Sequence, residues 1–73
     1  MAEQVDGLRK LVTIATDLGL PVELRTEAVE QISGIGTRDA LLALLGLAAN
    51  EKLTKGDREL AIKYAREIIR SGR

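Results

Sequence analysis

The 73-residue chain has no cysteine and no histidine. The first absence excludes disulfide stapling. The second removes the commonest zinc ligand, the usual general base and the one side chain that ordinarily titrates near neutral pH. Tyr64 is the sole aromatic residue, and a single ring gives nucleic-acid bases no platform on which to stack in succession. Neither sign of charge is in excess, since eleven Lys and Arg balance eleven Asp and Glu. That balance argues against a dedicated binder of nucleic acid or of acidic membrane. The longest uncharged apolar run, Ala40 to Ala49, is ten residues, about half of a bilayer span. Ser33 and Ser71 have no base to activate them, the carboxylates are spread along the chain, and there is no Walker-type glycine loop. The expectation is a protein that is not an enzyme, with no catalytic residues, cofactor, metal or small-molecule substrate.

A chain of this length makes one domain, here residues 1–73, and buries only about 60% of its unfolded surface. The neutral total hides an asymmetry. Residues 1–36 carry six acids and three bases, whereas residues 37–73 carry eight bases and five acids. The chain is therefore acidic at one end and basic at the other. Its N-terminus is acidic and lacks the apolar segment of a secretory leader, so a soluble cytoplasmic protein is expected.

Apolar residues recur at the helical period throughout, and no segment alternates as a strand would. The first helix is predicted from Glu3 to Leu18, with Val5, Leu8, Leu11, Val12, Ile14, Ala15 and Leu18 on one side. Gly19 and the only proline, Pro21, stop it. The second runs from Val22 to Ser33, with Leu24, Ala28, Val29 and Ile32 facing inward. Gly34 and Gly36 end it, each able to take a positive φ, and Ile35 between them plugs the core. Arg25 falls inside the apolar arc, so its stem should pack while its guanidinium reaches an acid, Asp17 in preference to Asp57. Thr37 caps a third helix, Arg38 to Ala49, which is apolar on every side, with Leu41, Leu44, Leu45 and Ala48 as its main stripe. Asn50 is expected to end it in the left-handed region. After a loop with Leu53 tucked inward, the fourth helix starts at Asp57 or Arg58 and ends at Ser71. Leu60, Ala61, Tyr64, Ala65, Ile68 and Ile69 make its apolar side.

The pattern repeats. Leu8, Leu11, Val12 and Ala15 recur 33 residues later as Leu41, Leu44, Leu45 and Ala48. Glu23-Leu24, Ala28-Val29 and Ile32 recur 36 residues later as Glu59-Leu60, Tyr64-Ala65 and Ile68. Two tandem hairpins, about 3–33 and 37–71, are the sequence sign of a helical solenoid. Leu24-Arg25 with Ala28 and Ile32, then Ile35-Gly36, then Ala40-Leu41 and Leu44, is similar to the HEAT-like repeat in its short bacterial form. That resemblance implies an all-α fold of stacked antiparallel helix pairs that binds other proteins, as a scaffold or module. The family also pairs an Asp before the second helix of a unit with an Arg in it. Here the second unit has Asp57 but carries Ala61 where the Arg would be, so the ladder of such pairs is incomplete.

Gly34-Ile35-Gly36 followed by Ala40 resembles a different motif, the helix-hairpin-helix of DNA-binding proteins. Its implied phosphate contacts are Gly34, Gly36, Thr37 and Arg38. The setting is adverse to that reading, because Glu23, Glu27 and Glu30 precede the glycines and Asp39 neighbours the lone base Arg38. The expected partner is a protein, with self-association as one form of it. Two surfaces are candidates. The first is the sector of the third helix holding Leu42, Gly46 and Ala49, with Leu47 at its edge. The second is the basic stripe Lys63, Arg66, Arg70 and Arg73, which either grips an acidic partner or simply complements a helix C-terminus.

Overall fold

The structure, a computed structural model, describes residues 2–71, with side chains described from Gly7 onward. Val5 and Arg73 thus lie outside the described side chains. Four helices follow one another: α1 (Ala2–Ala15), α2 (Val22–Ile35), α3 (Arg38–Ala49) and α4 (Lys55–Arg70). The described residues include no strand, and the fold is all-α.

Local chemistry sets the helix ends, and several differ from expectation. The first helix ends at Ala15 rather than Leu18. There the Thr16 hydroxyl donates to the Val12 carbonyl at 2.9 Å and the Asp17 N–H to the Ile14 carbonyl at 3.2 Å. The Asp17 carboxylate accepts from the Gly19 N–H at 2.9 Å. A short side chain bonding its own loop competes with helix continuation, so Leu18 sits in the loop and is half exposed. Gly34 lies inside α2, and only Gly36 takes a positive φ, 68°. One left-handed residue suffices because Thr37 at once caps α3, its Oγ1 accepting the Ala40 N–H at 3.2 Å. Asn50 is extended (φ −80°), not left-handed, and its side chain instead accepts the Lys52 N–H at 2.9 Å. Thr54 caps α4 through the Asp57 N–H at 3.1 Å, which starts that helix earlier than apolar periodicity indicates.

The helices form two tandem antiparallel hairpins. Arg58 Nε donates to the Ala48 carbonyl at 2.9 Å, placing the start of α4 beside the end of α3. Between hairpins, Arg25 in the first turn of α2 meets Asp57 in the first turn of α4. Farther along, the Tyr64 hydroxyl donates to Glu30 at 3.4 Å. At the far end Ser33 and Ile35 share a surface depression with Ile68 and Ser71. Three contacts in the same order on both helices mean that α2 and α4 run parallel, side by side. The radius of gyration, 11.2 Å, equals the value of about 11 Å expected for one folded body of this length.

Alanine dominates the core. Ala15, Ala28, Ala40, Ala61 and Ala65 are buried, while Ile32 and Leu44 are the largest side chains wholly enclosed. Leu53 is buried from the loop and Ile35 packs partly against the cluster. Alanines let helix axes approach closely but remove little apolar area from water. Larger aliphatics expected inward are instead exposed: Ile14, Leu18, Leu24, Leu45 and Ile69. With four short helices there is too little interior to enclose a wide apolar arc on each.

The hairpins are tied by an ion pair. Arg25 and Asp57 are each 8% exposed. Arg25 Nε and Nη2 both approach Asp57 Oδ2 at 3.1 Å, and Nη1 donates to the Leu20 carbonyl at 2.6 Å. Asp57, not Asp17, is thus the partner; Asp17 is engaged with Gly19. The side-chain nitrogens and oxygens of the described buried residues all have partners. The pair joins the α1–α2 loop, α2 and the N-terminus of α4, where a carboxylate is also favoured by the helix dipole. It connects the two units, from an Arg of the first to an Asp of the second.

Candidate functional site

On α3 the inward positions are Ala40, Leu44 and Leu47. Leu47 is 3% exposed and is core, which corrects its place in the candidate sector. It lies three residues beyond Leu44, on the same face of the helix. Leu42, Gly46 and Ala49 do face water. Leu45 joins them, at 40% exposure against 55% for Leu42. Positions 42, 45, 46 and 49 follow the i, i+3, i+4, i+7 spacing of one helix stripe. The face is therefore continuous, apolar and uncharged along its length.

The face continues onto α4. Ala48 lines a groove of about 510 Å³ together with Lys55, Arg58, Glu59, Ile62 and Arg66. The Arg58–Ala48 bond sets the antiparallel register, by which Leu45 runs level with Ala61, next to Ile62, and Leu41 level with Ala65, next to Arg66. Ile69, 57% exposed, extends the line, being three residues past Arg66 and seven past Ile62. Both helices of hairpin two thus expose aliphatic side chains, and three bases and one acid, Lys55, Arg58, Arg66 and Glu59, stand beside Ile62. Fully burying a Leu or Ile is worth about 1.5–3 kcal/mol, so covering the exposed half of Leu42, Leu45 or Ile69 would contribute about 1 kcal/mol each.

The expected basic stripe is divided. Arg66 borders the groove. Lys63 and Arg70 are exposed beyond it, and Lys63 Nζ lies 5.9 Å from the Tyr64 ring centroid. Lys55, Arg58 and Ile62 belong to the site but were not singled out by charge spacing or by the main apolar stripe. The signal for Lys55 and Ile62 is a second stripe on α4, at 55, 59, 62, 66 and 69, running beside the core stripe; Arg58 lies between the two stripes. Arg58 also has a structural task, since its bond to Ala48 satisfies a carbonyl at the end of α3.

Of the other candidate, Gly34, Gly36, Thr37 and Arg38, only the two glycines line a separate depression. Its wall includes Ser33 to Gly36 and also Glu67 and Ser71. A phosphate there would meet the Glu67 carboxylate and the carbonyl end of α4, both repulsive to an anion. The Thr37 hydroxyl is already engaged with Ala40, and Arg38 is exposed.

Tyr64 has a pKa above its ordinary 10.0, because of burial first, then the Glu30 charge and its hydrogen bond, and lastly Glu67. Among the described residues, no three potential metal-ligating side chains are grouped to hold an ion, and no helix is long and apolar enough to cross a membrane. Comparison with known proteins finds no family model, no curated protein and no solved structure that matches this chain.

Proposed function

We propose that this chain is a non-catalytic protein-binding module, built of HEAT-like hairpins and working in the cytoplasm, whose contact surface is the outer face of hairpin two. The observation that carries the reading is the exposure of Leu42, Leu45 and Ile69 on the two helices of hairpin two, beside a groove lined by Ile62 with Lys55, Arg58 and Arg66. A small domain with an alanine core gains from every large aliphatic side chain it encloses. Leaving three of them half exposed in one area, beside cations, fits a surface that a partner covers. The bases favour a partner with acids around an apolar centre.

The test is site-specific photocrosslinking with benzoylphenylalanine in place of Leu42 or Leu45, in the cells that make the protein. Arg9, an exposed residue of α1, is the control position. The reading predicts discrete protein adducts at 42 and 45 and few at 9. Equal, diffuse labelling at all three positions would sink it.

A further inference from the structure

We propose that the partner on this face is hairpin one of a second copy of the chain, so that copies stack head to tail. The inference rests on the reading of hairpin two as a docking face and supplies its occupant. A shift of 36 residues converts Val22, Thr26, Glu30 and Ser33 of α2 into Arg58, Ile62, Arg66 and Ile69 of α4. On α2 this is the side turned toward α4, as the Glu30–Tyr64 bond and the shared depression at Ser33 establish. The same side of α4 meets α3 only at Arg58, whose Nε bonds the Ala48 carbonyl, and along the groove at Ile62; it carries isoleucines in place of Thr26 and Ser33 and Arg58 in place of Val22. On α2 Thr26 and Ser33 of this side are partly buried, whereas Ile69, the counterpart of Ser33, is 57% exposed: an apolar side chain is left uncovered where the first unit covers a polar one.

The repeat also identifies what would pack there. The side of α4 that meets α2 carries Asp57, Leu60 and Tyr64, which correspond to Pro21, Leu24 and Ala28 of α2. Leu24 is 44% exposed, and Glu27 and Gln31 beside it are exposed on the side of α2 away from α4. Because α1 and α2 are antiparallel, Ile14 and Leu18, both exposed, gather at the same end. The outer face of hairpin one is thus apolar with acids, Glu27 and Asp17, and that of hairpin two is apolar with bases in excess, Lys55, Arg58 and Arg66 against Glu59. The faces complement each other in sign. Neither complements itself, so the contact is heterologous and leaves a free face at each end of a stack.

The join between copies lacks the clamp present within one. By the same shift Ala61 replaces Arg25 and Pro21 replaces Asp57. Association is therefore concentration-dependent, and salt weakens it because its charges are exposed.

The test uses two double variants at exposed positions, Leu24→Lys with Glu27→Lys, and Leu45→Lys with Ile69→Lys, so that the two altered faces are both cationic and repel each other. Circular dichroism confirms that both are folded. Sedimentation velocity up to about 1 mM protein, a range that reaches weak contacts, should show the unmodified chain growing in size with concentration. Each variant alone should stay a monomer, and an equimolar mixture should form a dimer and stop, since one intact join remains per pair. An unmodified chain that stays monomeric, a variant that still associates alone, or a mixture that fails to dimerise would each overturn the proposal. If the chain stays monomeric while Leu42 or Leu45 crosslinks to another protein, the binding face stands and only its occupant is wrong.

Discussion

At the 33-residue offset that relates the first helices of the two hairpins, Arg9 and Thr13 of α1 and Thr16 just after it stand where α3 has Leu42, Gly46 and Ala49. Ile14 is exposed where its counterpart Leu47 is core. Both helices hold their own hairpin together, so that task does not require an apolar outer stripe. Hairpin one packs with its outer positions on α1 polar, and hairpin two packs with the same positions apolar. The difference shows that folding of this pattern does not ask for an apolar outer stripe, which leaves that stripe for the proposed partner. The second helices add a contrast in charge: Glu27 and Glu30 of α2 correspond to Lys63 and Arg66 of α4.

The strongest way to break the comparison is to cut the hairpins apart. Arg25→Ala or Asp57→Ala leaves a buried charge unpaired and should cost about 3 kcal/mol or more, read as a large loss in thermal or urea midpoint. The double change Arg25→Met with Asp57→Leu should recover much of that loss, because replacing both partners removes the orphaned charge. If the single changes are silent, the two hairpins do not depend on this clamp.

Next in size is the contrast across α3. Leu44→Ala empties a fully enclosed site and should cost about 3 kcal/mol. Leu42→Ala, on the outer stripe, should change monomer stability by no more than about 0.5 kcal/mol. Equal losses in denaturant titrations would place Leu42 in the core and remove it from the contact face.

Capping sharpens the comparison further. The second hairpin has threonine caps at both helix starts, Thr37 and Thr54, whereas α2 begins at Pro21 without a side-chain cap. Thr37→Ala or Thr54→Ala should each cost about 1 kcal/mol, measurable by the same titrations. The smallest effect concerns the contact between α2 and α4. Glu30→Gln removes a charge that raises the Tyr64 pKa, so ultraviolet titration should show the phenol ionising at lower pH. A raised phenol pKa in the folded state adds stability below the unfolded value and loses it as pH rises through the folded one. The consequence is confined to pH above about 10.

Much of the fold was legible because helix formation here is written in short-range pattern. The four helices, Thr37 as a cap and the inward Leu53 all follow from spacing and capping chemistry. What eluded the pattern depended on how helices meet. Apolar arcs on four helices exceed what a 73-residue interior holds, and periodicity alone does not say whether Leu47 or Leu45 goes inside. Asp17 is nearer than Asp57 to Arg25 in sequence, but Asp17 bonds Gly19 in its own loop, and the parallel alignment of α2 with α4 brings Asp57 to the guanidinium. The candidate face was half legible. Leu42, Gly46 and Ala49 stood out as a sector opposite the stripe, whereas Lys55, Arg58 and Ile62 emerge only once α3 and α4 are laid side by side.

The central claim is that the outer face of hairpin two is a contact surface and that hairpin one of another copy fits it. Amide NMR spectra of the unmodified chain over a dilution series test it most directly. The account predicts concentration-dependent shifts at two separate places, around Leu45, Ile62 and Ile69 on one face and around Ile14, Leu24 and Glu27 on the other. Gly34 to Arg38 should stay still. Shifts on one face alone, or none up to the highest concentration, would contradict it.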